Sequence, residues 1–114
     1  MGIHNLLWGI LELGADCRVY DIAHCTSDFP EDYDNLKTFI KEAPTDIVFS
    51  QNFSPTVSRV CNELSIPYAA WTYDMPLTSL HHASIFNPCN YIFSFDKIQA
   101  DYLRKKGVAN VYHL

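Results

Sequence analysis

A chain of 114 residues is the length of one domain, which excludes a complete two-domain enzyme. Hydrophobic residues make up 48% and charged residues 18%, with 7 Phe, 7 Tyr and 2 Trp, enough apolar surface to offset the entropy lost on folding and to exclude a disordered chain. The 8 Lys and Arg against 13 Asp and Glu leave a formal charge of -5, which repels an extended phosphate backbone and sets nucleic acid aside as a partner.

In chain order, Ile3, Leu6, Leu7, Ile10 and Leu11 share one face of a 3.6-residue repeat and Gly14 follows, so residues 3–13 are expected to form a helix. Residues 17–22 read as a strand of mixed polarity, with Arg18 and Asp21 suited to a sheet edge. Pro30 fits a first helical turn, and Tyr33, Leu36, Ile40 and Ala43 keep helical spacing up to Pro44. Residues 46–50 are a continuous apolar run, the pattern of a central parallel strand covered on both faces. Ser54 and Pro55 form a cap-and-first-turn pair, and Val57, Val60, Cys61 and Leu64 make the stripe of the next helix. A strand over 68–72 gives way to a loop at Tyr73, with a short helix expected over 77–83. Residues 91–95 are the most strand-like stretch of all. Asp96 and Gln99 resemble a capping box opening a helix whose Ile98, Tyr102 and Leu103 face inward and which Gly107 ends, before a strand begins at Val111.

Strands near 17, 46, 68, 91 and 110 alternating with helices define an α/β fold, a Rossmann-like three-layer sandwich on a mainly parallel sheet of about five strands. Such a domain usually opens with a strand, and only Met1 and Gly2 precede the first helix, so the opening strand is expected to be missing. Either the chain is a fragment, or the sheet closes ranks, or another copy supplies a strand to the exposed edge, which makes that edge a candidate surface for a homodimer. No apolar run approaches the roughly 18 residues of a membrane span, and the start lacks a signal peptide's basic region. The 4 cysteines contain no C-x-x-C pair, so reduced, mostly buried thiols and a cytoplasmic location are expected.

Ligands of open parallel sheets bind beyond the carboxyl ends of the strands. Asn52 and Ser54 stand there beside the free N–H groups of a helix start, suited to a phosphate, carboxylate or sugar hydroxyl; for Ser54 ordinary capping explains the residue as well. Trp71, Tyr73 and Asp74 occupy the next strand end. Burial among aromatic rings would raise the Asp74 pKa toward that of a general base, and the other reading makes Asp74 the cap of the turn before Pro76. Asp96 is read as a helix cap. His81, His82 and Cys89 lack zinc-site spacing, and His24 and Cys25, adjacent on an extended chain, point apart, so neither a metal nor a thiol nucleophile is expected. The 4 glycines spell neither a dinucleotide fingerprint nor a P-loop, and no cofactor is assigned.

The run from Cys61 to Pro76, CNELSIPYAAWTYDMP, resembles the amino-terminal region of the CgeB-type, spore-maturation-related bacterial glycosyltransferases. The later segments Cys89–Lys97, Leu103–Val108 and Val111–Leu114 resemble the stretch that leads out of that domain. The similarity runs from about Gly14 onward. It implies a GT-B architecture of two Rossmann-like domains, of which this chain matches the first, the acceptor side. A nucleotide-sugar donor would then be bound only through a second domain, and this chain would be inactive alone. Trp71 and Asp74 match a motif of the family. The alternative is a noncatalytic α/β binding or interaction module, a truncated relic associating through its sheet edge.

Overall fold

The computed structural model describes Arg18, residues 30–72 and residues 82–114. Helix α1 spans Pro30–Lys41 and ends three residues before Pro44. Strand β1 (Val48–Gln51) leads into helix α2 (Pro55–Leu64), and strand β2 covers Tyr68–Thr72. A 3₁₀ turn at Ala83–Phe86 precedes strand β3 (Asn90–Ser94), helix α3 (Lys97–Lys106) and strand β4 (Val111–His113). The four strands form one sheet in the order β1-β2-β3-β4, every neighbouring pair parallel. The α/β fold with a parallel, Rossmann-like sheet is therefore the one the alternating pattern implies. The expected helix over 3–13 and strand over 17–22 lie outside the described residues, apart from Arg18.

Strand order fixes where the helices go. Right-handed crossovers between strands that are neighbours in both sequence and space all pass over the same face of the sheet. The register puts Tyr68, Ala70, Ile92 and Val111 on that face, since Tyr68 pairs with Asn90, Ala70 with Ile92 and Ile92 with Val111. These four pack with Leu36 and Ile40 of α1, Val57, Val60 and Cys61 of α2, Ile85 of the turn, and Ala100 and Leu103 of α3 in one buried cluster. The described residues thus supply the sheet and one helical layer.

The opposite face is aromatic. Gln51, Trp71, Phe93 and Tyr112 are aligned in one row across all four strands, and Phe49, Ala69 and Tyr91 in the next. Phe93 lies between Trp71, at 6.2 Å, and Tyr112, at 5.3 Å, and an open hollow is lined by Phe49, Ala69, Trp71, Phe93 and Leu114. This face corrects the expectation that 46–50 is a strand covered on both sides. Among the described residues β1 is an outer strand, begins two residues later, and leaves Phe49 43% exposed because no described helix lies over it.

The ends of α2 and α3 are made by local chemistry. The Ser54 hydroxyl accepts from the Val57 N–H at 3.3 Å, and Pro55 occupies the first turn, where no N–H is needed. Asp96 accepts from the Gln99 N–H at 3.1 Å. Both α2 and α3 stop through a left-handed residue, Ser65 with φ 57° and Gly107 with φ 102°. At each, the N–H one residue further on reaches back into the last turn, from Ile66 to Cys61 O at 2.9 Å and from Val108 to Leu103 O at 3.1 Å.

Helix α3 faces inward by only one of the three residues its spacing suggested. Gln99, Ala100 and Leu103 are buried, whereas Ile98 is 79% and Tyr102 49% exposed. Leu103 is inward as expected; the other two are not. The apolar pair Ile98 and Tyr102 imitates a core stripe, but the inward position belongs to Gln99, whose amide serves two hydroxyls of the sheet. The short helix expected over 77–83 falls largely outside the described residues, and at Ala83 the chain is a 3₁₀ turn capped by His82 Nδ1, which accepts from the Ser84 N–H at 3.1 Å.

Candidate functional site at the carboxyl edge of the sheet

Parallel strands end together, so one edge collects the residues that follow β1, β2 and β3. Asn52 comes first after β1, in the left-handed region at φ 64°, a conformation that Asn tolerates better than most residues. Its N–H donates to Trp71 O at 2.8 Å, and its own carbonyl accepts from the Ser50 hydroxyl at 2.6 Å. The turn out of β1 is in this way fastened to the end of β2. Ser54 lies two residues on, fully buried; beyond the cap it provides, its N–H donates to the Tyr68 hydroxyl at 3.0 Å. That hydroxyl also bonds the Ser50 hydroxyl. One phenol thus joins the strand end, the turn and the start of α2.

A second knot holds the ends of β2 and β3. Thr72 and Ser94 are register partners, and both hydroxyls donate to Gln99 Oε1, at 2.9 and 2.8 Å. Ser94 Oγ in turn accepts from the Asp96 N–H at 3.1 Å. The capping box suggested by Asp96 and Gln99 is therefore half formed: Asp96 caps the helix, while Ser94 and not the Gln99 side chain satisfies the Asp96 N–H. In a buried setting such a network is worth more than its separate bonds, and it fixes the height at which α3 meets the sheet.

Trp71 stands beside both knots. Its ring stacks on Phe95 at 5.7 Å and 28°, on the aromatic face of the sheet. Its indole N–H is buried and has no hydrogen-bond partner among the described residues. Asn52, Ser54 and Trp71 are thus brought together by the meeting of β1 and β2. Tyr73 and Asp74 lie outside the described residues and follow Trp71 by two and three positions in sequence. The sequence reading missed Tyr68, Thr72 and Ser94, and gave Gln99 only a capping role. The only signals were a phenol and a hydroxyl within an apolar run and a Ser at a strand end.

The two thiols among the described residues, Cys61 and Cys89, are not poised for chemistry. Burial pushes Cys61 up to about 12, and the neighbouring Cys89 adds to the effect. Burial also raises Cys89, although its hydrogen bond with Ser58 pulls the other way. Neither supplies a thiolate near neutral pH. Among the described residues no three His, Cys, Asp or Glu side chains gather to hold a metal, and no helix is long and apolar enough to cross a membrane. No protein-family model, curated protein or solved structure matches the chain.

Proposed function

We propose that this chain is the amino-terminal, acceptor-side domain of a GT-B glycosyltransferase that takes its sugar from a nucleotide-sugar donor. The observation that carries the reading is the carboxyl edge of the four described parallel strands, where Asn52 and Trp71 share a backbone hydrogen bond and Tyr73 and Asp74 follow Trp71 in the sequence. In this reading Asp74 is the base that takes the proton from an acceptor hydroxyl as the hydroxyl oxygen attacks the anomeric carbon. Trp71 and Tyr73 offer ring faces to the acceptor sugar, Asn52 adjoins Trp71 at the strand end, and Ser54, buried as the cap of α2, holds that turn in place. The departing nucleoside diphosphate is stabilised by groups of a second domain, and the step needs no bound metal or cofactor from this one.

The test is turnover by the two-domain protein under saturating donor, comparing wild type with Asp74→Asn. Loss of a general base lowers kcat by roughly 100-fold or more. Unchanged turnover removes Asp74 from the reaction. A second reading, a noncatalytic binding or interaction module, is favoured by one feature: at this edge the Tyr68 hydroxyl is engaged with Ser50 and Ser54, and the Thr72 and Ser94 hydroxyls with Gln99, which suits a rigid structural rim. A gene that continues beyond Leu114 into a second α/β domain supports the transferase, and a stop codon there supports the module.

A further inference from the structure

The outer face of α3 carries apolar and cationic groups that neither the core nor the sheet uses. Ile98 and Tyr102, one turn apart, are exposed on it. At 100° per residue, Lys97 and Lys105 fall on one flank of this pair and Lys106 on the other. The Lys106 ammonium lies over the Tyr102 ring, 5.4 Å from its centroid. Asp101, the only carboxylate of the helix, is paired with Arg104 at 3.4 Å, and the Arg104 guanidinium also donates to Val111 O at 3.0 and 3.3 Å. Four cations against one carboxylate make this ten-residue helix +3 in a chain whose total is -5. Cations in a last turn complement the helix dipole, which accounts for Lys105 and Lys106 as charges. It does not account for a bare isoleucine and a tyrosine set between lysines.

We propose that this face seats the protein on an anionic membrane surface, with Ile98 and Tyr102 entering the headgroup boundary and Lys97, Lys105 and Lys106 meeting lipid phosphates. Charge complementarity selects this occupant. The rest of the chain is net negative and is repelled by such a surface, which favours approach by the cationic α3 side. The apolar part is two exposed side chains one turn apart on a helix, and lysine is depleted at protein interfaces but favoured where a helix lies along charged lipid. The attachment is peripheral and shallow, because the inward face of α3 stays in the core. It stands independently of the transferase reading.

The test is flotation of the full chain with vesicles of phosphatidylcholine alone or with about one-third phosphatidylglycerol, at low and at high salt. Binding is expected only to the anionic vesicles and is expected to be lost at high salt. Lys105→Glu with Lys106→Glu lowers it by roughly tenfold or more, and Ile98→Ser lowers it at unchanged charge, both without altering the thermal melt. Absence of flotation with anionic vesicles overturns the proposal, as does flotation that neither variant weakens. A dimer seen by sedimentation velocity and abolished by Ile98→Ser, or capture of polyglutamate without vesicle binding, assigns the face to a second copy or to an acidic protein and overturns it equally.

Discussion

Tyr68 reads in the sequence as one more apolar residue of a buried strand, and its ring does pack against Phe53 at 5.8 Å. What the sequence conceals is the hydroxyl, which becomes useful only when β2 stands beside β1 and meets Ser50 and Ser54. Cys61 shows the same dependence on surroundings in its titration. Its thiol ionises near 9.0 in the unfolded chain and about 12 in the folded one, so above pH 9 the unfolded state sheds a proton that the native state keeps. The stability this implies is fully present below pH 9 and is lost as the pH climbs toward 12. Urea unfolding of wild type and Cys61→Ala at a series of pH values measures it. The variant is less stable near neutrality by about 1–2 kcal/mol, from the cavity it leaves, and the gap narrows as the pH rises from 9 to 11.

At the scale of elements, nearly every helix and strand that falls among the described residues was legible from spacing and punctuation, because Pro, Ser, Asp and Gly act within one turn of their own position. Ser54 with Pro55, Asp96 and Gly107 all do in the fold what their local chemistry dictates. The orientation of α3 was not legible, since Ile98 and Tyr102 have helical spacing and Gln99 looks like a surface residue. Only the β2–β3 register, which sets Thr72 beside Ser94, gives Gln99 its partners. Likewise Asn52 and Trp71 could be picked out as strand-end residues, but their contact depends on the pairing of β1 with β2. The two helix stops invite a matched pair of substitutions. Ser65 holds a left-handed backbone at the cost of its Cβ, so Ser65→Gly is expected to stabilise by about 0.5–1 kcal/mol, whereas Gly107→Ala at φ 102° destabilises by about 1 kcal/mol. Thermal unfolding of the two variants checks both signs.

For the whole molecule, the core sits between the sheet and α1, α2 and α3, and β2 and β3 have strands on either side. Native-state hydrogen exchange is therefore expected to be slowest in β2 and β3 and faster in β4, which is short and outer among the described residues; equal protection across β2, β3 and β4 contradicts this layout. The strand order carries a further consequence. Because each described strand lies against the one made just before it, none of the four has to wait for a distant partner, and loop closure is inexpensive at each of these additions. A growing polypeptide can then lay down β1 to β4 in the order in which a ribosome releases them, with no rearrangement needed to admit one of these four between two already joined.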